Sequence, residues 1–405
     1  MRILILHNSY QQAGGEDVMV ANEEALLRTH GHEVHLHSVS NDSIQGLWSE
    51  VATAWQAPYS RWGYREVTRI IKKNHPDVVH VHNVFPLLTP SIYDACQDLK
   101  VPVVQTLHNY RNICPGALLM RNGKPCEDCI QGTAYQAVLH ACYRGSRLGS
   151  LAVARMVDIH RRRETWANKV DCFIALTEFG KKKFMEAGFP SWKIAVKPNF
   201  TEAAGLGPVA DTNRNGALFV GRLSQEKGIE TLLRAWEFLD VSLRIIGDGP
   251  MMDGMRVKAS TSVAVLGRKD AKQIAEEMAR AAFLVMPSEW YEGFPMTVVE
   301  AFSQGLPVIA SRLGAMEEII EDGVTGLHFI PGDAEDLARK VRWAIQHPEK
   351  MREIGRNARR VYEEKYTSEI NYRQLMAIYE GAVGEKRWLQ RHRSKLSLCG
   401  SMVGV

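Results

Sequence analysis

Residues 286–301 read MPSEWYEGFPMTVVEA, which comprises the end of an apolar run, a polar loop and the start of a second apolar pattern. Gly293 and Pro295 punctuate the loop, and a proline suits the first turn of a helix because its missing N–H would have no partner there. The first N–H groups of a helix are unpaired, and the helix dipole adds partial positive charge, so an anion binds well at this end. The pattern predicts a strand, a loop and an anion-binding helix N-terminus.

The same residues carry two glutamates, Glu292 on the loop and Glu300 in the helix. Either one alone is more simply explained as a solvated surface acid. Glu300, however, stands between Val299 and Ala301, which leaves it little room for free exposure. Two carboxylates beside a phosphate-binding helix end suit a ligand with both phosphate and hydroxyl groups, such as a nucleotide-sugar.

This pattern resembles the E-x7-E signature of glycosyltransferase family 4, the retaining nucleotide-sugar glycosyltransferases with the GT-B architecture. The resemblance implies an α/β fold of two Rossmann-like, doubly wound domains that face each other across a cleft. It also implies that Glu292 contacts the sugar hydroxyls of the donor and that Glu300 contacts the ribose. The neighbouring loop residues belong to the same implied donor site: Gly293, Phe294, Pro295 and Met296.

The composition is that of a globular chain, with 405 residues, 45% of them hydrophobic, and a net charge of +4. Residues 1–200 carry 23 Lys and Arg against 18 Asp and Glu (+5), residues 201–383 carry 22 against 27 (−5), and residues 384–405 carry 5 against 1 (+4). A basic half facing an acidic half argues against a nucleic-acid surface. With no apolar run of membrane length, no signal-peptide pattern and only seven cysteines, we expect a cytoplasmic protein without a disulfide scaffold.

We expect two main domains. Residues 1–200 form an acceptor-binding Rossmann-like domain, with a Cys-rich insertion at about 110–145, and residues 201–366 form the nucleotide-sugar-binding domain. A linker rich in Gly, Pro, Asp and Asn at 202–215 separates them. By the resemblance, a helix at 367–383 crosses back to the first domain, and residues 384–405 form a disordered basic tail.

The first domain opens with a strand at 2–6, the pair Gly14-Gly15 and a helix that Gly31 ends. This is the first unit of a doubly wound domain, in which ligands bind beyond the carboxyl ends of the strands. Since the full G-x-G-x-x-G is missing, a dinucleotide site is weakly indicated. The resemblance places Gly14 and Gly15 near the donor phosphates or the acceptor, and a flexible surface turn is the alternative.

Histidines stand at the ends of the next predicted strands, 77–82 and 102–107. His80 and His82 have a structural alternative, in which they pack or bridge polar loops. His108 is the better candidate because it resembles the family's T-x-H segment at the cleft floor. There the ring or its backbone carbonyl meets the transferred sugar.

The second domain begins with a strand at 216–220 followed by GRLSQEKG at 221–228. Arg222 and Lys227 flank this loop, where a guanidinium and an ammonium can hold a diphosphate. As ordinary surface bases they would need no ligand, but the segment closely resembles the family's donor-diphosphate motif.

Three further residues complete the predicted donor site. Gly247 and Gly249 flank a turn that lets backbone approach a ligand, and Arg268 lies where the family places the nucleobase. The family usually has two glycines at Gly314 and Ala315, so Ala315 is a departure that puts the donor contacts of that loop in doubt.

Cys114, Cys126, Cys129 and Cys142 follow the pattern C-x11-C-x2-C-x12-C within a loop-like segment. Four thiolates around a tetrahedral Zn²⁺ would hold a loop that lacks a core of its own. His140 is an alternative ligand, and four thiols that merely pack or face solvent are the alternative to a metal site. A closed shell of four thiolates would make the metal structural.

Residues 144–197 hold 12 Lys and Arg against 5 Asp and Glu, including the runs 161–163 and 181–183. Such runs are usually solvated helix faces. For a sugar transferase, a peripheral contact with anionic lipid headgroups at the inner membrane face is the sharper hypothesis, with the segment 386–395 assisting.

No D-x-D motif, which many transferases use to hold a divalent ion, occurs in the chain. Charge on the leaving diphosphate would then be neutralised by Arg222, Lys227 and the helix end, without a cofactor. The resemblance implies a retaining hexosyltransferase in which the leaving phosphate assists attack on the same face. The expected partners are a UDP- or GDP-sugar donor and a saccharide or lipid-linked acceptor, in bacterial surface polysaccharide or lipopolysaccharide synthesis.

Three other classes remain open on the sequence. A nucleotide-sugar epimerase shares the two-domain architecture and would act without an acceptor. A solute-binding protein has two lobes but no use for Arg222 and Lys227 beside paired glutamates. A dehydrogenase is disfavoured by the incomplete glycine fingerprint.

Overall fold

The computed structural model describes residues 1–9, 14–41, 46–202, 214–254 and 262–399. The side chains of 47–51 and of residues after 386 are outside this description. Most of the predicted linker at 202–215 also lies outside the described residues.

The first domain is built on a six-stranded parallel sheet in the order β2-β1-β3-β4-β7-β8. Its third and fourth strands are buried along their whole length, because helices cover both faces of the sheet. The strands of this half are β1 (Arg2–Ser9), β2 (Glu33–Ser40), β3 (Val78–Asn83), β4 (Val103–Leu107), β5 (Met120–Arg121), β6 (Lys124–Pro125), β7 (Cys172–Ala175) and β8 (Ile194–Val196). Its helices are α1 (Gly15–Thr29), α2 (Leu47–Gln56), α3 (Arg61–Asn74), α4 (Ser91–Asp98), α5 (Asp128–Gln131), α6 (Gln136–Leu139), α7 (Arg147–Arg162), α8 (Thr165–Lys169) and α9 (Glu178–Glu186).

The second domain is built on another six-stranded parallel sheet, in the order β11-β10-β9-β12-β13-β14. Its strands are β9 (Ala217–Val220), β10 (Leu243–Ile246), β11 (Val263–Gly267), β12 (Phe283–Met286), β13 (Val308–Ser311) and β14 (Gly326–Phe329). Its helices are α10 (Ile229–Trp236), α11 (Ala271–Arg280), α12 (Met296–Ser303), α13 (Ala315–Ile319), α14 (Ala334–Gln346) and α15 (Pro348–Lys365). Two such doubly wound domains confirm the predicted fold class.

The two strand orders decide where ligands bind. In each sheet the chain adds strands first toward one edge and then toward the other. This change occurs between β1 and β3 in the first sheet and between β9 and β12 in the second. Ligands of open α/β sheets bind beyond the carboxyl ends of the strands at this switch point. The loops after β9 and β12 are therefore neighbours, although more than 60 residues separate Lys227 from Glu292.

The last helix, α16 (Ser368–Cys399), packs on the first domain. Leu375 and Tyr379 join a core cluster with Ile3 and Ile5 of the first strand. The sequence analysis expected disorder after Gly384, and this is wrong for residues 384–399, which continue the helix. The Lys386 ammonium contributes to this extension, because it donates to the Asp171 carboxylate at 2.9 and 3.0 Å.

Candidate functional site

Glu292 is held by two donors at the meeting point of the β9 and β12 loops. Lys227 Nζ donates to Glu292 Oε1 at 2.7 Å, and Ser288 Oγ donates to the same oxygen at 2.6 Å. Glu292 is only 4% exposed. The first glutamate of the E-x7-E pattern is thus a buried, charge-paired carboxylate rather than a solvated loop acid.

Gly228 allows the two loops to come this close. Its φ is +67°, and a Cβ at this position would lie 1.9 Å from the carbonyl oxygen of Pro287. A side chain would push the loop after β9 away from the loop after β12. The final glycine of the GRLSQEKG segment therefore sets the distance between Lys227 and Glu292.

The helix start beside Glu292 offers free peptide donors. Pro295 is the N-cap of α12, and Val298 N–H donates to the Pro295 carbonyl at 3.0 Å. Within the described ranges, no protein acceptor takes the N–H groups of Gly293, Phe294, Met296 and Thr297. The loop and the first turn thus retain the unpaired amides that suit an anion.

Glu300, the second glutamate of the pattern, lies one turn into α12. Burial raises the pKa of its carboxyl group, and burial is the single cause of that shift. In the described part of the chain, no side-chain or backbone donor pairs with this carboxylate. An unpaired, desolvated carboxylate is unfavourable for folding, which is typical of a group reserved for a ligand.

Arg222 and Arg268 are exposed at the ends of β9 and β11. No ion pair or hydrogen bond among the described residues engages either guanidinium. The structure does bring Lys227 to Glu292, but it leaves Arg222 as a free cation at the mouth of the same loop.

Gly247 and Gly249 each stand where neighbouring backbone comes close, and their contact with the donor stays a prediction. Cβ atoms at these positions would lie 1.8 Å from the Gly221 carbonyl oxygen and 2.5 Å from the Leu223 carbonyl oxygen. The backbone that packs against these glycines is the protein's own loop at 221–228. They fix the position of the loop that carries Arg222.

Ala315 departs from the family pattern without disturbing the fold. It is the first residue of α13 and fully buried, so its methyl group packs in the core. The glycine that the geometry requires is Gly314, whose φ is +59° and where a Cβ would lie 3.1 Å from the Tyr291 ring.

His108 meets the donor loop across the cleft. A Cβ on Gly293 would lie 2.5 Å from the His108 carbonyl oxygen, so the two backbones are in close contact. His108 and Glu292, both predicted as site residues, thus belong to different domains and lie close together. Met296, predicted as a donor contact, also packs between the domains, against Met19 and Phe200.

Two further contacts join the domains beside this point. The Phe179 and Tyr291 rings lie 4.8 Å apart. The Glu318 carboxylate accepts hydrogen bonds from the N–H groups of Glu178 and Phe179, at 2.8 and 2.7 Å. A carboxylate from the second domain thus caps the N-terminus of α9 in the first domain.

The Gly14-Gly15 segment is less suited to phosphate than predicted. Gly14 N–H donates to the carboxylate of Asp17 at 2.8 Å, and the same side chain contacts His7 Nε2 at 2.9 Å. The amide that a phosphate would use is therefore taken by a carboxylate. Hydroxyl groups suit this helix end better than a second anion.

The sequence analysis missed a buried polar network beneath His108. Glu23 Oε1 lies 2.9 Å from His80 Nδ1 and 3.5 Å from His82 Nε2, and Glu23 Oε2 lies 3.2 Å from Lys197 Nζ. His82 Nδ1 in turn contacts His108 Nε2 at 2.8 Å. The network continues to the last helix, since Tyr379 Oη contacts His80 Nδ1 at 2.7 Å and Asn371 Oδ1 accepts from Lys197 at 3.0 Å.

Burial and charge set the protonation of this network. Burial, with help from His80, lowers the pKa of His82 to about 3, and burial and His82 lower the pKa of His108 well below its usual range. Burial alone would raise the pKa of Glu23, but Lys197 and His80 lower it well below its ordinary value. His108 is therefore a neutral imidazole whose Nε2 shares a hydrogen bond with a neutral His82.

Glu23 had a sequence signal. It lies three residues after Val20 and four before Leu27, on the buried stripe of α1, and a charged residue on such a stripe needs a partner. Glu23, His80 and His82 are also a group whose ligand atoms lie within 4.8 Å of one another. Lys197 already neutralises the carboxylate, so a metal ion there would lie beside an ammonium group.

The structure gathers the four cysteines of the insertion around one region. Burial raises the pKa of the Cys129 thiol to about 12, and the Cys114, Cys142 and Cys126 sulfurs act in the same direction. None of the four is in a disulfide. His140, the alternative ligand, is exposed.

One lysine of the basic run 181–183 is buried rather than solvated. Lys183 is 8% exposed and pairs with Glu127 and Glu186, at 2.8 Å each. The lipid-contact hypothesis is therefore wrong for Lys183. Within the described residues, no helix combines the length and the apolar character needed to cross a bilayer.

Two facing doubly wound domains, with a phosphate-type helix end at the switch point of the second, define the GT-B architecture. The chain belongs to the glycosyltransferases with this architecture: residues 13–204 match the model described as Glycosyltransferase Family 4, and residues 208–361 match Glycosyl transferases group 1. This membership disfavours the solute-binding and dehydrogenase alternatives.

Similar proteins include sulfoquinovosyl transferase SQD2 of Arabidopsis thaliana, 36% identical over 154 residues, which are 37% of this chain and 30% of the relative. The uncharacterized glycosyltransferase MJ1607 of Methanocaldococcus jannaschii is 28% identical over 89% of this chain and 92% of its own. The structure of Anabaena Alr3699/HepE in complex with UDP has a TM-score of 0.64 at 19% identity, over 93% of this chain and 99% of that one. The chain spans less than half the length of several curated relatives that it matches.

Proposed function

We propose that this protein transfers a sugar, with retention, from a nucleoside diphosphate sugar to a hydroxyl group of a saccharide or lipid-linked acceptor. The main observation behind the proposal is the environment of Glu292, which is buried and paired with Lys227. Glu292 lies beside unpaired amides and faces the His108 backbone across the cleft. The HepE structure in complex with UDP, which shares this fold, supports a nucleotide ligand.

The diphosphate would bind between Lys227, Arg222 and the free amides at the start of α12. Arg222 lacks a protein partner among the described residues and is free to turn toward a phosphate. Fixed positive charge placed where the leaving group gains charge is a large contribution to catalysis. These groups would neutralise the leaving diphosphate without a divalent ion, consistent with the absence of a D-x-D motif.

Glu292 would orient the sugar rather than attack it. Its Oε1 accepts from both Lys227 and Ser288, which leaves Oε2 to accept from a sugar hydroxyl. Glu300 would accept from the ribose hydroxyls. This assignment leaves no carboxylate free to act as a nucleophile at the sugar. Retention would then require the acceptor hydroxyl to attack the face that the leaving phosphate occupies.

The acceptor would enter along the first domain. Asp17 and Glu16 lie at the start of α1, and Asn109 Nδ2 donates to Glu16 Oε2 at 3.3 Å. Carboxylates and an amide at this edge suit a hydroxyl-bearing acceptor. We place the reaction in the cytoplasm, in the synthesis of a bacterial surface polysaccharide or lipopolysaccharide.

A membrane-facing surface would serve a lipid-linked acceptor. Leu148, Leu151 and Arg155 fall on one stripe of α7, and Leu148 is 80% exposed. Arg155 lies 5.0 Å from the ring of Trp55, which is 72% exposed. Exposed apolar side chains beside arginines suit an anionic lipid surface.

Vesicle co-sedimentation tests this surface. Binding to phosphatidylglycerol vesicles is expected at low salt and should weaken in Leu148→Ser and Trp55→Ser. Trp192→Ser removes an equally exposed side chain, 84% exposed, outside the surface and should bind as the unchanged protein does. Equal binding to zwitterionic vesicles, or none to either, would remove the membrane proposal.

The transfer itself is tested in two stages. UDP-, GDP- and ADP-sugars are first screened by thermal unfolding, where a ligand at about 100 times Kd stabilises by ~2.7 kcal/mol. The stabilising donor is then incubated with saccharide and lipid-linked acceptors, and the anomeric configuration of the product is read by NMR. Inversion would reject retention, free isomerised donor sugar without a conjugate would favour the epimerase, and no interaction with any nucleotide would reject the site.

A further inference from the structure

The Cys-rich insertion, residues 110–145, has an unusual backbone for a segment with so little regular structure. It contains two strands of two residues and two helices of four. Left-handed backbone is unfavourable for residues with a Cβ and persists where surrounding contacts impose it. Five of the nine such residues in the described chain lie here: Ala117, Leu119, Asn122, Ala141 and Arg144.

The four cysteines are the side chains that this segment brings together. A Cβ on Gly116 would lie 3.7 Å from Cys114 Sγ and 3.5 Å from Cys142 Cβ, so these two cysteines flank the same point. Backbone hydrogen bonds connect Cys129 to the same region. Its sulfur lies 4.0 Å from the Ala134 carbonyl oxygen, and Ala137 N–H donates to that oxygen at 3.2 Å. Cys142 N–H donates in turn to the Ala137 carbonyl at 3.0 Å.

The surroundings suit thiolates. The Arg121 guanidinium lies beside this segment, since it pairs with Asp128, between Cys126 and Cys129, at 2.5 Å. A site of four thiolates and one divalent ion carries net negative charge, which a neighbouring guanidinium offsets.

We propose that Cys114, Cys126, Cys129 and Cys142 together bind one structural Zn²⁺ ion. Four soft sulfur ligands without an open position select zinc among the common divalent ions. The ion holds the insertion in its left-handed turns, beside Ile113, Leu119 and Ile130, which pack into the core of the first domain.

The four sulfurs must move closer together to bind one zinc ion. No three of the four have sulfurs within 4.8 Å of one another among the described residues. A tetrahedral shell with Zn–S distances of about 2.3 Å brings sulfurs to about 3.8 Å. Cys114, Cys126 and Cys142 lie outside helices and strands, so side-chain rotation and small backbone shifts would close the shell.

The site also fixes contacts to the second domain. Glu127, between two of the proposed ligands, pairs with Lys183 at 2.8 Å, and burial together with Glu127 raises the pKa of the neighbouring Tyr291 hydroxyl. At the tip of the β5–β6 hairpin, a Cβ on Gly123 would lie 3.3 Å from the Gln225 side chain. The insertion therefore lies against two loops of the second domain, at Tyr291 next to Glu292 and at Gln225 within 221–228.

The first test uses the full chain purified without chelator. We expect one zinc per chain by elemental analysis, and X-ray absorption with four sulfur neighbours at about 2.3 Å. Thiol titration in denaturant should report four more reactive thiols with a chelator than without one. No zinc with all four thiols reactive, or two disulfides in their place, would overturn the site.

Matched variants separate this site from general effects of losing a cysteine. Cys129→Ser should lose the zinc, whereas Cys172→Ser, outside the cluster, should keep it. If Cys129→Ser fails to fold, the unchanged protein still decides: a strong chelator should lower its Tm, and added Zn²⁺ should restore it. Zinc retained in Cys129→Ser, or a Tm indifferent to chelator, contradicts the proposal. Reconstitution with Co²⁺ should produce thiolate-to-metal charge-transfer bands, which nitrogen and oxygen ligands would not.

Discussion

The carbonyl oxygen of His108 lies 2.5 Å from the point where a Cβ on Gly293 would stand. The floor of the first domain therefore touches the loop that carries Glu292. Only a glycine permits this contact, so the closed arrangement of the two domains depends on one missing side chain.

Gly293→Ala is expected to reduce transfer activity, because the added methyl group meets backbone that has no room to yield. Displacing reacting groups by about 1 Å is enough for a loss of ~100-fold. Steady-state kinetics and UDP binding measure the effect. Gly381→Ala is the control, since nothing lies within 4 Å of its Cβ position, and it should stabilise its helix by ~0.5–1 kcal/mol. Unchanged kinetics in Gly293→Ala would show that the two backbones do not meet during turnover.

Glu300→Gln is expected to raise stability and weaken donor binding. Burial raises the pKa of Glu300, so above its folded pKa the ionised carboxylate disfavours the folded state, and an amide removes this penalty. Tm at pH 7.5 should therefore rise. UDP affinity should fall by ~10–100-fold if a charged hydrogen bond of ~1.5–3 kcal/mol is lost.

The exposed Glu317→Gln on the next helix should change neither quantity. A Glu300→Gln protein with lower Tm and unchanged UDP affinity would mean that Glu300 is a structural residue.

Arg222→Ala and Lys227→Ala should differ in their effect on the unliganded protein. Lys227 balances the buried Glu292 carboxylate, so its removal should lower the free energy of unfolding by ~2–3 kcal/mol. Arg222 is exposed without a protein partner among the described residues, so Arg222→Ala should leave stability within about 0.5 kcal/mol. Both variants should weaken UDP binding in calorimetry. If Arg222→Ala binds UDP normally, the diphosphate does not use this guanidinium.

The histidine network predicts a loss of stability in acid. The pKa of His82 is about 3 in the folded protein against an ordinary value of 6.5. Between these values the unfolded chain binds a proton that the folded chain does not, so stability rises with pH through this window. One such group contributes up to about 1.4 kcal/mol per pH unit, and His108 and Glu23 act in the same direction.

Urea unfolding between pH 4.5 and 7.5 measures this slope. His82→Gln should flatten it, whereas the exposed His35→Gln should leave it unchanged. A slope that is the same in all three proteins would place the acid-sensitive groups elsewhere.

Much of the proposed donor site was predictable because its residues lie in short segments of the chain. The loops at 221–228 and 286–301 each follow a recognisable apolar strand, and their charged residues stand at fixed local spacing. Glu292 and Lys227 were both identified in this way. Their ion pair was not, because strand order, rather than spacing along the chain, makes β9 and β12 neighbours.

The surroundings of Gly247, Gly249 and Lys183 could not be predicted from the sequence for a related reason. A glycine that admits a ligand and a glycine that admits another loop have the same local pattern. A lysine in a basic run looks solvated until an acid such as Glu127, 56 residues earlier in the chain, pairs with it. The pairing of Lys386, in the last helix, with Asp171 likewise joins residues far apart in the chain.

The sequence by itself determined the alternation of strands and helices, the two-domain architecture and the chemistry of the donor loops, since these depend on hydrophobic periodicity and on neighbours along the chain. Tertiary structure alone decided the Glu23–Lys197 pair, the contact of His108 with Gly293 and the capping of α9 by Glu318. Each of these joins residues more than 130 positions apart. Burial lowers the pKa of His108, and burial of this kind exists only once the domains have packed.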